Sequence, residues 1–165
     1  MYYGKLNKAD IANGPGVRVS LFVSGCDLKC KGCFNREAWD FEYGEPFTSA
    51  LIAEILDALE PDYISGLTIL GGEPLHKANY NEVKRICRRV KQYFPDKTIW
   101  LYTGKTFENV GYWAIFDYVD VVVDGPFIES QKDITLKFRG SRNQRIIDVQ
   151  ESIKLGTVIL HTVER

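Results

Sequence analysis

Apolar residues occupy every second position of residues 17–23, which predicts a strand. Residues 51–59 repeat apolar side chains at helical spacing, behind Thr48 or Ser49 as candidate caps. Residues 67–70, Leu-Thr-Ile-Leu, form a short buried-strand pattern. Val83, Ile86, Cys87, Val90 and Phe94 then share one helical stripe, which Pro95 closes. Residues 98–102 and 118–123 read as further strands, and 145–149 and 157–160 as the last two.

Strands separated by helix-length segments predict βαβ units and a mainly parallel sheet. A chain of 165 residues is too short for a closed eight-fold barrel, which needs about 250. The expected fold is therefore α/β, an open or partial barrel of five or six strands in a single domain spanning 1–165. No repeat, low-complexity tract or linker divides it.

Four of these strands run directly into unusual residues. The first leads to a cysteine loop and the second to Gly71-Gly72-Glu73-Pro74. The third leads to Tyr102-Thr103-Gly104 and the fourth to Asp124-Gly125-Pro126. In a parallel sheet such loops share the carboxyl edge, where ligands bind in barrels and open sheets. Turn-forming Gly and Pro alone account for any one of them, but all four lie at the edge that carries the cysteines.

Composition narrows the class. The chain is 45% hydrophobic and 26% charged, with a formal net charge of -1, so bulk charge gives no reason to expect nucleic acid. No apolar run reaches the roughly 20 residues of a membrane span, and the first ten residues lack a secretory apolar stretch. The expectation is a cytoplasmic protein. Of four cysteines, three fall within eight residues, as Cys26-x3-Cys30-x2-Cys33. In a reducing compartment such a cluster reads as metal ligands rather than disulfides. Thiolates are the natural ligands of iron–sulfur clusters, and three can hold three corners of one cubane. The fourth iron then keeps an open position suited to a substrate. Cys87, on an apolar stripe, reads as core. Zinc is the alternative, with His76 completing a Cys3His set.

The Cys26/Cys30/Cys33 spacing, with an aromatic, Phe34, directly after it, resembles the radical S-adenosylmethionine (SAM) superfamily. Gly71-Gly72-Glu73-Pro74 resembles that superfamily's second motif, whose glycines let backbone approach a ligand. Within the superfamily the chain resembles the activating proteins of anaerobic ribonucleotide reductase. The likeness runs through residues 13–18, Asn-Gly-Pro-Gly-Val-Arg, and 21–26, Leu-Phe-Val-Ser-Gly-Cys. It continues through Tyr102-Thr103-Gly104, residues 123–127, and 139–144, Arg-Gly-Ser-Arg-Asn-Gln.

That resemblance implies a [4Fe–4S] cluster on Cys26, Cys30 and Cys33, with SAM on the open iron. It implies reductive cleavage of SAM to a 5′-deoxyadenosyl radical, which makes a glycyl radical on the large subunit of the reductase. The electron would come from a flavodoxin-like or other low-potential reductant. Gly32, Cys33 and Phe34 would border SAM, and Gly71, Gly72 and Glu73 would hold its methionine end. Thr103 and Asp124 join the cofactor-binding set on their strand-end positions. Hydrogen-atom transfer needs no acid–base side chain, so none is assigned. An electron carrier or an activase of another glycyl radical enzyme are the alternatives. Arg139, Arg142, Asn143 and Arg145 either dock the reductase or form a solvated loop. Lys84, Arg85, Arg88, Arg89 and Lys91 read as the outer face of an amphipathic helix.

Overall fold

A computed structural model describes residues 1–33 and 36–163. The strands are β1 (Tyr2–Asp10), β2 (Val17–Val23), β3 (Glu45–Pro46), β4 (Ile64–Gly71), β5 (Thr98–Tyr102), β6 (Val121–Asp124) and β7 (Arg145–Asp148). The helices are α1 (Ser49–Leu59), α2 (Tyr80–Tyr93), α3 (Phe107–Val110) and α4 (Val149–Leu155). All seven strands join one sheet in the order β3-β1-β2-β4-β5-β6-β7. The central four, β2, β4, β5 and β6, are parallel. Antiparallel strands flank them, β1 and β3 on one side and β7 on the other. The fold is thus a mixed α/β sheet with a parallel centre, two strands wider than the lower expectation.

Alternation along β2 decides which side chains meet which layer. Val19, Leu21 and Val23 join a core with Ile55 and Leu59 of α1 and Ile86, Cys87 and Val90 of α2. Fully burying one such aliphatic side chain stabilises by about 1.5–3 kcal/mol. A good N-cap contributes about 1 kcal/mol. Packing therefore sets α1, whose cap residue Thr48 makes no side-chain capping bond.

The other face of β2 carries two buried polar residues, Arg18 and Ser20. Arg18 is 1% exposed. Its guanidinium donates to Thr68 Oγ1 at 2.9 Å, Thr98 Oγ1 at 3.0 Å and the Thr98 carbonyl at 2.8 Å. It also lies over the Trp100 ring, 5.8 Å from the centroid. Burial lowers its pKa to about 10. Trp100, Val121 and Val123 form a second core on the sheet, with Tyr102, Phe138 and Ile146 packed against it. Both faces of the sheet are therefore covered, as the parallel centre requires. Among the described residues no helix is long and apolar enough to cross a membrane.

The predicted strands at 17–23 and 98–102 coincide with β2 and β5. The predicted 67–70 strand lies inside β4, and 145–149 becomes β7 followed by α4. The start of the predicted 118–123 strand is displaced, because Tyr118 closes a 3-10 turn, Ala114–Asp117. The predicted 157–160 strand is reduced to a single bridge between Ile147 and Leu160.

Candidate functional site

The carboxyl ends of β2, β4, β5 and β6 open into one cleft. Cys26, Cys30 and Cys33 line it, together with Gly71, Gly72 and Glu73 after β4. Tyr102, Thr103 and Gly104 line it from β5, and Val123 and Gly125 from β6. Four fragments spread over a hundred residues of sequence therefore meet, because parallel strands end at the same edge.

Backbone hydrogen bonds close the base of the cysteine loop. Gly25 N–H donates to the Ala38 carbonyl at 2.7 Å, and Cys26 N–H to that of Trp39 at 3.4 Å. Within the loop, Cys33 N–H donates to the Cys30 carbonyl at 3.1 Å. Burial pushes the Cys26 thiol up, while Leu28 and Lys29 N–H groups directed at its sulfur oppose that shift. Such N–H donors are one means of tuning a cluster's potential. His76 Nε2 lies 3.2 Å from Asp27 Oδ2, and its Nδ1 accepts from Ala78 N–H at 3.0 Å. Its ring also packs on Phe41, with centroids 4.6 Å apart. His76 thus braces the cysteine loop through Asp27 and does not line the cleft.

Among the described residues, no three His, Cys, Asp or Glu side chains gather round a single ion position. One zinc ion needs ligands drawn to a common point at about 2.3 Å for each sulfur. A cubane takes each thiolate on a separate iron, so its ligands stand farther apart. Three thiols spaced round one cleft, with N–H groups directed at the sulfur of Cys26 and no fourth cysteine beside them, fit a three-ligand cluster.

Gly71 and Gly72 serve a close approach between two stretches of protein. A Cβ on Gly71 would sit 2.5 Å from the Val23 carbonyl oxygen, and one on Gly72 2.5 Å from that of Gly25. Instead, Gly72 N–H donates to the Val23 carbonyl and Glu73 N–H to the Gly25 carbonyl, both at 2.8 Å. The glycines thus press the loop after β4 onto the start of the cysteine loop. Asn79 locks the junction, its Nδ2 donating at 3.0 Å to the carbonyls of Ser24 and of Glu73.

Glu73 is 1% exposed. Its Oε1 accepts from Gly104 N–H at 2.7 Å, and its Oε2 from Thr103 Oγ1 and Leu75 N–H, each at 2.9 Å. Burial raises its pKa and outweighs these three bonds, which favour the carboxylate. Thr103 is thereby a partner of Glu73 as well as a cleft residue.

Two predicted residues fall outside the cleft lining. Asp124 is 1% exposed and spends its carboxylate on protein. It accepts from Arg145 Nη2 at 2.6 Å, Arg145 Nε at 3.1 Å and Phe107 N–H at 2.8 Å. Gly32 lies beside the Glu129 side chain. Phe34 lies outside the described residues.

Gln144 and Gly140 line the cleft without having been assigned to it from the sequence. Gln144 Nε2 donates to the Gly125 carbonyl at 3.1 Å, and its Oε1 accepts from Gly140 N–H at 2.8 Å. Asn143 Nδ2 donates to the Pro126 carbonyl at 2.8 Å. Gly140 and Gln144 therefore form a wall of the cleft, stapled to the loop after β6. The density of amide side chains in the run 139–144 was the available signal.

The model of the 4Fe-4S single cluster domain family matches residues 12–147. The chain is 43% identical over 148 residues to the anaerobic ribonucleoside-triphosphate reductase-activating protein of Enterobacteria phage T4, covering 88% of this chain and 93% of that relative. The protein of the same name from Vibrio cholerae is 43% identical over 150 residues, 88% and 97% of the two chains. That from Escherichia coli K12 is 38% identical over 148 residues, 87% and 96%. With a 4Fe-4S single cluster domain over most of its length and this much identity along whole relatives, the chain belongs to the family of anaerobic ribonucleoside-triphosphate reductase-activating proteins.

Proposed function

We propose that the chain is a radical SAM activase, one open-barrel domain that installs a glycyl radical on the large subunit of an anaerobic ribonucleotide reductase. The observation that carries this reading is the convergence of Cys26, Cys30 and Cys33 with Gly71, Gly72 and Glu73 on one cleft. Cys26, Cys30 and Cys33 would hold a [4Fe–4S] cluster and leave one iron free for SAM. When bound and reduced by a low-potential, flavodoxin-like carrier, the cluster supplies the electron that splits SAM into methionine and a 5′-deoxyadenosyl radical, which takes a glycine α-hydrogen from the reductase.

This chain's own residues position and shield. Glu73 fixes the loops after β4 and β5 against each other through Thr103 and Gly104. Gly71 and Gly72 hold the methionine side of the site against the cysteine loop. Cys33 would border SAM from the cysteine loop. Leu28, Leu70, Val123 and Phe127 give the cleft apolar walls. Such walls exclude water, which protects a reactive radical from side reactions.

The test is anaerobic. The protein is reconstituted with iron and sulfide, reduced, and its electron paramagnetic resonance spectrum recorded with and without SAM. A [4Fe–4S]+ signal that shifts with SAM, and a glycyl radical once the reductase is added, are the expected results. A cluster spectrum indifferent to SAM would make the chain an electron carrier instead.

A further inference from the structure

A second groove opens beside the cleft. Four cationic side chains line it, Lys137, Arg139, Arg142 and Arg145, with the His161 imidazole beside them, and among the described residues no carboxylate does. Gln144 lines both groove and cleft, so one side chain separates them. The chain as a whole carries a net charge of -1, so composition does not account for this concentration of cations.

These cations differ in how they are engaged. Arg145 is neutralised by Asp124 and Glu108, each at 2.6 Å. Arg139 donates to the carbonyls of Gln144 at 2.6 Å and Arg142 at 3.4 Å, which leaves its charge uncompensated by those bonds. Arg142 is exposed. Asp133 is a carboxylate near Arg142 and Arg139, with Thr135 donating to it at 2.6 Å through its hydroxyl and at 2.9 Å through its N–H.

We propose that this groove docks an acidic segment of the glycine-bearing subunit and so guides the glycine into the adjoining cleft. The inference rests on the activase reading above. Reach decides between the two protein partners that reading requires. Hydrogen-atom transfer needs the glycine α-carbon in contact with the radical, so the subunit that brings it must cover the surface around the cleft. An electron can cross many ångströms of protein, so its donor has no need of the surface that adjoins the cleft. Cations along a groove attract carboxylates, steer their approach and fix register.

The experiment uses the full-length, cluster-loaded protein and the purified large subunit. Lys137→Glu/Arg142→Glu is compared with Arg142→Lys and with wild type. Affinity for the subunit is measured by anaerobic calorimetry at low and moderate salt. Uncoupled SAM cleavage driven by dithionite, without the subunit, reports the cleft, and thermal melting reports the fold. The double reversal should weaken association about tenfold at low salt, with less effect as salt rises. Arg142→Lys should stay close to wild type, and uncoupled cleavage should change by less than about twofold, since neither residue lines the cleft.

Equal affinity of the double reversal and wild type overturns the proposal. So does intact affinity with radical formation lost only when a protein donor replaces dithionite, which assigns the groove to the donor. A wild-type protein that neither binds the subunit nor leaves a glycyl radical on it defeats the activase reading, and the groove inference with it. A wild type and a double reversal that activate with equal affinity defeat the groove inference alone.

Discussion

The Thr103 hydroxyl donates to Glu73 Oε2 at 2.9 Å and ties the loop after β5 to the loop after β4. Gly104 N–H on Oε1 and Leu75 N–H on Oε2 complete the clamp. Glu73→Gln cannot reproduce it. Whichever way the amide turns, its NH2 faces a backbone N–H, of Gly104 or of Leu75. A buried donor left without a partner costs about 1–3 kcal/mol. Urea denaturation of the cluster-free variant should show that loss, and SAM affinity of the loaded variant should fall with it. Unchanged stability with lost SAM affinity would instead make Glu73 a direct ligand of SAM and not a clamp.

Asp124 offers a sharper separation of structure from binding. Its carboxylate is buried and paired with Arg145, which also holds Glu108 at the surface. Arg145→Ala leaves that carboxylate buried without its cation, a change that costs about 3–5 kcal/mol. Asp124→Asn keeps an acceptor for Phe107 N–H but loses the ion pair, so it should destabilise less. Both variants should melt lower than wild type. In Asp124→Asn, SAM affinity measured well below the melting point should be close to wild type. A large loss of SAM affinity with an unchanged melting temperature would return Asp124 to the cofactor-binding set.

What the sequence discloses follows from where periodicity is strong. β2, β5, α1 and α2 are legible because one face of each meets the large core and apolar residues recur at the matching period. β1 is not, since its nine residues alternate in exposed and half-buried pairs that no two-residue period matches. β3 has two residues, too few to carry a pattern. Arg18 and Ser20 look solvent-facing in an alternating strand, but Arg18 lies over Trp100 and donates to the Pro15 carbonyl, and Ser20 donates to Asp10, so both are buried. The convergence of the cysteine loop with Gly71-Gly72-Glu73 is legible because parallel strands share a ligand edge. The bond between Asp124 and Arg145 is not, because partners 21 residues apart on antiparallel strands leave no local signal.

Asp10, 6% exposed at the end of β1, predicts a pH dependence. Burial opposes ionisation, but bonds from Ser20 Oγ, Ala12 N–H and Asn13 Nδ2 outweigh it and hold the carboxyl below the ordinary aspartate range. The folded-state pKa is therefore lower than the unfolded one. The stabilisation is present above the unfolded value and is lost as pH falls through it toward the folded value. Denaturation midpoints should thus decline as pH is lowered through about 4. Asp10→Asn sets an NH2 among these donors, so it should cost about 1–3 kcal/mol at neutral pH. The gap between variant and wild type should narrow in acid. A constant gap would show that Asp10 remains ionised across the range tested.

Cysteine replacement separates ligand from core. Cys30→Ala should leave the helices intact and remove cluster loading, since two thiolates cannot hold three corners of a cubane. Cys87 is fully buried among Val83, Ile86 and Val90, and burial pushes its thiol up to about 12, so it remains protonated at neutral pH. A thiol that resists ionisation is a poor ligand and a good small hydrophobe. Cys87→Ala should therefore bind iron and sulfide like wild type and lose about 1 kcal/mol of stability to the vacated volume. Iron and sulfide assays after anaerobic reconstitution, read beside denaturation curves, check both variants. Iron retained by Cys30→Ala would break the ligand assignment. Iron lost from Cys87→Ala, with its fold intact, would require the helix to deliver Cys87 to the cluster.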